Sequence, residues 1–239
     1  MNTNRKTAII AGILFIFATT ASLLSTVLSG SILDAPDYLI KIFVNQNQVT
    51  IGVLLKIIAA MTSAGIAISM YPVMKGSNAG LALGSVVFRA LEAVFYIVGV
   101  VSLLSLLALG QQFATAGVAD RTSLQAIGNL LVSVRDHAAL VGVFAFCLGA
   151  FMYYYLFFQS RLIPRWLSGF GIVAIILMMT ACVLALFSGN LITSYILMAA
   201  PIGVQEIVLG GWLIVKGFNP AAIASLSAKT ATSELLSAA

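Results

Sequence analysis

Residues 80–108 read GLALGSVVFRALEAVFYIVGVVSLLSLLA, and only two of them are charged. A helix of this length is about 43 Å long at 1.5 Å per residue, which exceeds the roughly 30 Å hydrocarbon core of a bilayer. The segment therefore predicts a transmembrane helix. Its polar and small residues recur every three or four positions, and this spacing places them on one helix face. A polar face on an apolar helix predicts contact with protein or water instead of lipid. The residues of this face are Ser85, Arg89, Glu92, Tyr96 and Gly99.

The whole chain has the same apolar character. Of its 239 residues, 61% are hydrophobic and 8% are charged, whereas a typical soluble domain is about 45–50% apolar and about 25% charged. This composition excludes an ordinary water-soluble globule, a disordered chain and a disulfide scaffold. The formal net charge is +5. Because the basic residues lie mostly in short loops between apolar runs, membrane topology explains this charge better than nucleic-acid binding does.

Six segments are long and apolar enough to span a bilayer, which predicts an all-α, polytopic membrane helical bundle. We expect residues 1–219 to form a single membrane domain and residues 220–239 to form a loose C-terminal tail. The first span is expected to be retained instead of being cleaved as a signal peptide, because its apolar character continues to Gly30. The six segments cover about 7–29, 49–71, 80–108, 137–159, 166–188 and 192–215.

Lysine and arginine are distributed unequally between the two sides of this bundle. The positive-inside rule assigns the richer side to the cytoplasm, so we expect both termini there and the protein in the inner (plasma) membrane. The richer side holds Arg5, Lys6, Lys75, Arg161, Arg165, Lys216 and Lys229, and the other side holds Lys41, Arg121 and Arg135.

Both of the longer external loops are expected to contain helix. In the first loop, Asp34 is expected to cap a short helix that begins near Pro36. The apolar face of that helix is expected to lie in the outer interface, or alternatively to cover a pocket. In the second loop, residues 109–136, Asp120 is expected to cap a helix that begins near Arg121 and runs into the fourth span.

Four charged residues lie inside the predicted spans: Lys56, Arg89, Glu92 and Glu206. A charge at the bilayer centre costs roughly 2.5–3.5 kcal/mol on insertion scales, so such groups face the bundle interior and pair. Reflecting the second span onto the third across their connection places Lys56 about one helical turn from Glu92, which predicts one ion pair. Arg89 and Glu206 lie at a similar depth, which predicts a second pair if the third and sixth spans are neighbours.

The charges of these four residues sum to zero, and three hypotheses about function follow. In the first, a polar pocket between spans 2, 3 and 6 binds or transports a small molecule or lipid without catalysis. In the second, the protein is a structural or accessory subunit, and its buried charges only lock the helices together. In the third, an intramembrane enzyme uses Glu92 or Glu206 as general acid or base. The ligand-binding residues of the first hypothesis are Lys56, Arg89, Glu92, Tyr96 and Glu206.

No motif in the sequence predicts a cofactor or a metal site. The phosphate-binding, nucleophile-elbow and HExxH motifs of soluble enzymes are absent. The single histidine, His137, excludes a bis-histidine haem within one chain. It suits a polar helix end, a pH sensor or the mouth of a substrate pathway. Cys147 and Cys182 lie alone in apolar runs, which favours small buried hydrophobes over a zinc site. The expected partners are the lipid bilayer and a small-molecule or lipid ligand, with no nucleic acid. The sequence does not predict an oligomeric state.

Four stretches of the sequence carry a family resemblance: NRKTA at 4–8; MYPVMK at 70–75, through LAL at 81–83 to FR at 88–89; QSRLIPRWLS at 159–168; and EIVL at 206–209, to WLIVKG at 212–217. In this order and spacing the chain, from about residue 4 to 219, resembles the prokaryotic integral-membrane family catalogued as domain of unknown function 4386. The resemblance implies a multi-helix bacterial or archaeal membrane protein and supplies no activity. The positions that the family's motifs favour are Arg89, Arg161, Pro164, Glu206 and Lys216.

Overall fold

The computed structural model describes residues 3–228. In this part of the chain, six helices are long and apolar enough to cross a membrane, which confirms the predicted helical membrane bundle. The helices are α1 (Thr3–Leu33), α2 (Tyr38–Val44), α3 (Gln46–Met74), α4 (Ala79–Thr115), α5 (Val118–Ser160), α6 (Arg165–Ser188) and α7 (Ile196–Val215), with a 3-10 turn (Ile192–Tyr195) before α7. All except the short α2 are spanning helices.

The six spanning helices form a closed ring. In order of contact, α1 packs on α3, α3 on α4, α4 on α5, α5 on α6, α6 on α7, and α7 on α1. We call the end of the bundle that holds Thr3, the α3–α4 turn and Lys216 the terminal end, and the opposite end the α2 end. In this ring α4 and α7 lie on opposite sides. The third and sixth spans are therefore not neighbours, which was the condition for the predicted Arg89–Glu206 pair.

Two glycines close the ring at the terminal end. A Cβ atom on Gly12 would lie 2.6 Å from the carbonyl oxygen of Gly210, and one on Gly210 would lie 2.8 Å from that of Gly12. Only glycine therefore permits this approach of α1 to α7. Arg5 reinforces the contact by donating hydrogen bonds of 3.1, 2.6 and 3.3 Å to the last three carbonyl groups of α7.

Aromatic side chains fill the centre of the ring near the terminal end. The ring centroid of Tyr153 lies 5.9 Å from that of Phe15, 4.5 Å from that of Tyr154 and 6.0 Å from that of Phe157. All four side chains are fully buried. Because they come from α1 and α5, on different sides of the ring, they close its centre at this end.

The tail predicted to be loose begins as a helix. Residues 220–228 are helical, and Ala222 is buried against the main core. The remaining part of the predicted tail, residues 229–239 with Lys229, lies outside the described residues, as do residues 1–2.

The α4–α5 hairpin is longer than the sequence predicted. The helix predicted to begin near Arg121 and to run into the fourth span is present, but it begins three residues earlier, at Val118, and α4 extends past the predicted end of the third span to Thr115. Residues 118–136 are polar and yet contain no proline and a single glycine, a composition that permits a solvated helix. With 43 residues, α5 is about 64 Å long, twice the thickness of a hydrocarbon core.

The short helix α2 packs against this hairpin. Its residues Tyr38, Leu39 and Ile42 are buried in an apolar core that includes Leu106 of α4. The approach is close, since a Cβ atom on Gly110 would lie 3.0 Å from the carbonyl oxygen of Leu39. The predicted apolar face of α2 is therefore covered by protein.

Two predicted helix caps are wrong. The N-cap of α2 is Asp37, not Asp34, and its side chain makes no capping hydrogen bond. Asp37 instead pairs with Lys41 one turn later, at 3.4 Å. The N-cap of α5 is Gly117, which leaves Asp120 in the first turn, where a carboxylate still favours the positive end of the helix dipole.

Candidate functional site

A buried ion pair lies on the inner face of α4. Arg89 Nη1 is 3.0 Å from Glu92 Oε2, and the two side chains are only 2% and 4% exposed. Ser63 of α3 donates a hydrogen bond of 2.6 Å to the same carboxylate oxygen. On the other side, the guanidinium carbon of Arg89 lies 4.8 Å from the ring centroid of Phe146 on α5. The polar face predicted from the spacing therefore points into the ring.

The ion pairs expected from the sequence are not formed. Within residues 3–228, neither Lys56 and Glu92 nor Arg89 and Glu206 approach to within 4 Å. Arg89 takes the carboxylate of Glu92 because a spacing of three residues makes them neighbours on one helix. The ammonium of Lys56 lies one helical turn from Glu92 toward the α2 end. Its Nζ is 4.5 Å from the ring centroid of Tyr96 and 3.4 Å from the hydroxyl oxygen of Ser22.

Glu206 approaches the centre of the ring from α7. Thr19 of α1 donates a hydrogen bond of 2.6 Å to Glu206 Oε2. Within the described part of the chain, Glu206 Oε1, Arg89 Nε and the hydroxyl of Tyr153 have no hydrogen-bond partner. Arg89 interacts electrostatically with both Glu206 and Tyr153, so the three groups lie in the same region of the ring interior. Buried polar groups are normally hydrogen-bonded, and this centre is therefore suited to hold water or the polar part of a ligand.

A second buried hydrogen-bond chain joins three helices beside Glu206. The hydroxyl of Tyr154 on α5 donates to Gln205 Oε1 on α7, and Gln205 Nε2 donates to the carbonyl oxygen of Leu167 on α6 at 3.2 Å. We call this chain and the groups around Arg89 and Glu206 the polar layer. Five members of the polar layer were not among the predicted site residues, because uncharged polar residues are common in spans. These members are Thr19, Ser63, Tyr153, Tyr154 and Gln205.

A cavity of about 720 Å³ lies next to the polar layer, on the side of the α2 end. This volume falls within the range of roughly 300–1,000 Å³ that is typical of ligand pockets. Ser22 and Tyr96 line it, three and four residues along their helices from Thr19 and Glu92 of the polar layer, so the layer lies beneath the cavity floor. Lys56 is the ionisable group at that floor.

The other end of the cavity is a polar mouth. Arg135 and Asp136 of α5 line it as an ion pair of 2.8 Å, and the exposed His137 lines it beside them. Burial raises the pKa of the Tyr38 phenol, so its hydroxyl stays protonated and donates to Asn129 Oδ1 at 2.9 Å. The mouth therefore combines fixed charges with hydrogen-bonding groups.

The five residues predicted to bind a ligand occupy two levels. Lys56 and Tyr96 line the cavity, whereas Arg89, Glu92 and Glu206 belong to the polar layer beneath it. The pocket was expected between spans 2, 3 and 6 only. The cavity instead has lining residues from α2 and from all six spanning helices, because the ring surrounds it.

A closed ring of six apolar helices with ionisable groups in its interior defines a polytopic integral membrane protein. The comparison with known families narrows this class. The family model described as Domain of unknown function (DUF4386) matches residues 10–217, most of the chain, and the protein belongs to that family. No curated protein and no solved structure shows a significant match to the chain.

Proposed function

We propose that this protein is a non-enzymatic membrane protein that binds or transports a small molecule or lipid in its central cavity. The observation that carries the proposal is the cavity of about 720 Å³ enclosed by the ring. It has an apolar wall, an ionisable floor at Lys56 and a polar mouth, which is the combination expected of a specific ligand pocket. The aromatic residues around Tyr153 close the ring beneath it, so the cavity is closed toward the terminal end of the bundle.

The membrane orientation is part of the proposal. An excess of Lys and Arg at the terminal end favours the cytoplasm for both chain termini, in the inner (plasma) membrane, with the cavity mouth facing outward. Cysteine labelling tests this, because the native Cys147 and Cys182 are buried. A membrane-impermeant maleimide added to intact cells is expected to label an Ala119→Cys variant but not a Ser77→Cys variant. The reverse pattern would overturn the orientation.

Native mass spectrometry of the protein released gently from membranes tests the proposed binding. We expect a stoichiometric small-molecule or lipid adduct. An Ala139→Phe variant, which adds a ring inside the cavity, is expected to lose the adduct, whereas Ala90→Phe on the exposed face of α4 is expected to retain it. A folded parent protein that carries only heterogeneous bulk lipid, equally in both variants, would refute the proposal.

The second candidate is a structural or accessory subunit, and the hydrogen bonds between neighbouring helices of the ring favour it. The Thr19–Glu206 and Ser63–Glu92 contacts each join two helices at 2.6 Å. This function predicts that a partner protein, and no small molecule, accompanies the purified chain, and that Ala139→Phe leaves the partner bound.

A further inference from the structure

The wall of the cavity reaches the outer surface of the bundle between α1 and the α6–α7 region. Three apolar residues both line the cavity and are more than half exposed: Leu23 at 54%, Leu186 at 55% and Ile196 at 54%. A residue of this kind must lie at an opening, because one side of it faces the interior and the other faces the surroundings. Their apolar character indicates that these surroundings are lipid.

The spacing of α1 and α7 explains this opening. At Gly12 a Cβ atom would lie 2.6 Å from an atom of α7, whereas at Gly203, nearer the α2 end, a Cβ atom would lie 3.9 Å from Thr19 of α1. The backbones of the two helices therefore approach most closely at the terminal end, whereas at Gly203 the contact is made by the side chain of Thr19. Beyond Thr19, residues of α1 such as Ser22, Leu23 and Thr26 line the cavity.

The chemistry of the cavity floor selects for negative charge. The ammonium of Lys56 has no carboxylate within 4 Å in residues 3–228, and its contacts there, a hydroxyl and an aromatic ring, are neutral. The side-chain stem of Arg135 lies near Gly99, one turn from Tyr96, but its charge is paired with Asp136, which leaves Lys56 as the unpaired cation of the floor. The nearest acidic groups are already engaged, Glu92 by Arg89 and Asp136 by Arg135. Asp34 lines the cavity from the exposed α1–α2 connection.

We propose that the cavity takes an anionic amphiphile, a single apolar chain with a carboxylate or phosphate headgroup, which enters from the bilayer between α1 and α7 and places its headgroup on Lys56. The inference rests on the proposed function of the cavity. Lys56 and Tyr96 bind the headgroup, and the apolar wall holds the chain. An ammonium can donate three hydrogen bonds, and bonds to a charged acceptor are the strong ones.

Binding measurements in nanodiscs of a neutral lipid test the ligand class with three probes. Oleate carries both the chain and the charge, oleyl alcohol carries the chain alone, and acetate carries the charge alone. We expect oleate to bind at least about tenfold more tightly than either of the others, the ratio typical of one charge-assisted hydrogen bond. Lys56→Met is expected to abolish this preference, whereas Lys56→Arg is expected to keep it. Lys41→Met, on the surface of α2, is the matched control and is expected to change nothing.

A pair of neighbouring variants tests the route of entry. Ile196→Trp enlarges a residue at the opening, whereas Leu197→Trp enlarges the next residue, which is 88% exposed and does not line the cavity. Oleate association is expected to slow at least about fivefold in the first variant only, since a narrowed entrance lowers the association rate. Equal rates in both variants would overturn lateral entry.

The outcomes separate this inference from the proposed function. Equal binding of oleyl alcohol and oleate, with no effect of Lys56→Met, would overturn the anionic ligand and leave a cavity that binds lipid. Lys56-dependent binding of acetate as tight as that of oleate would overturn the amphiphile in favour of a soluble anion. Absence of any adduct in the native mass spectra of a folded protein would instead remove the proposed function itself.

Discussion

Double-mutant cycles on Glu92 test whether its ion-pair partner is Arg89, as in the structure, or Lys56, as the sequence predicted. Arg89 and Glu92 are 3.0 Å apart and only 2% and 4% exposed, so removing either partner leaves a buried charge without its counter-ion. Such a change typically costs about 3–5 kcal/mol of unfolding free energy. The double variant Arg89→Met/Glu92→Leu removes both charges. It should therefore be more stable than the sum of the single losses predicts, by about 2–3 kcal/mol.

A second cycle on the same carboxylate discriminates between the two possible partners. Lys56 rests on the ring of Tyr96 and is not within 4 Å of Glu92, so the coupling of Lys56→Met with Glu92→Leu should be less than half that of the first cycle. Reversible unfolding in detergent–lipid bicelles, followed by circular dichroism, provides the free energies. A larger coupling to Lys56 than to Arg89 would refute the arrangement.

An exposed pair calibrates both cycles. Lys41 and Asp37 are 3.4 Å apart, but their side chains are 45% and 53% exposed. Their coupling should be about 0.2–1 kcal/mol, as is usual for surface pairs on a helix.

Three further predictions concern contacts between the helices of the ring. Gly210→Val should destabilise the protein by about 1–3 kcal/mol through overpacking against α1. Gly211→Val, where a Cβ atom meets nothing within 4 Å, should cost nothing, because valine has a slightly better helix propensity than glycine. Arg5→Ala removes three hydrogen bonds to the end of α7 and should lower stability by about 1–2 kcal/mol. Its control, Lys6→Ala at an exposed position, should change stability by less than about 0.5 kcal/mol. Thermal unfolding measures both the glycine pair and this pair of variants. Tyr154→Phe leaves a buried amide oxygen without its donor and should cost about 1–3 kcal/mol; an unchanged unfolding temperature would contradict that hydrogen bond.

The sequence predicted which residues face the interior but not which of them touch. Helical periodicity placed Arg89 and Glu92 on one face, and both are buried. Reflection of the second span onto the third placed Lys56 about one helical turn from Glu92, and its ammonium lies over the ring of Tyr96, which is one turn from Glu92. The ion pairs were wrong because two cations competed for Glu92, and the outcome of such a competition depends on side-chain distances that spacing does not determine.

The order of the helices in the ring is a second feature that the sequence did not predict. Short connections make consecutive spans neighbours, and the closure of α7 on α1 depends on Gly12 meeting Gly210 across most of the chain. Isolated glycines are common in membrane helices, so neither position stood out. At residues 109–136 the sequence predicted the helix that runs into the fourth span but not its exact start at Val118, because a solvated helix and a polar loop contain similar residues.

The structure separates the charged residues of the second and third spans into two levels with different physical roles. Arg89 and Glu92 neutralise each other on one helix and are almost fully buried, so their removal should affect stability first. Lys56 lies at the cavity floor with neutral contacts only. Removing its charge relieves a desolvation cost and breaks no ion pair, so Lys56→Met should alter ligand binding with little loss of stability. Glu92→Leu should do the reverse and destabilise the bundle. If both variants lowered stability equally and neither changed ligand binding, these charged residues would form a single structural unit, and the accessory-subunit function would follow.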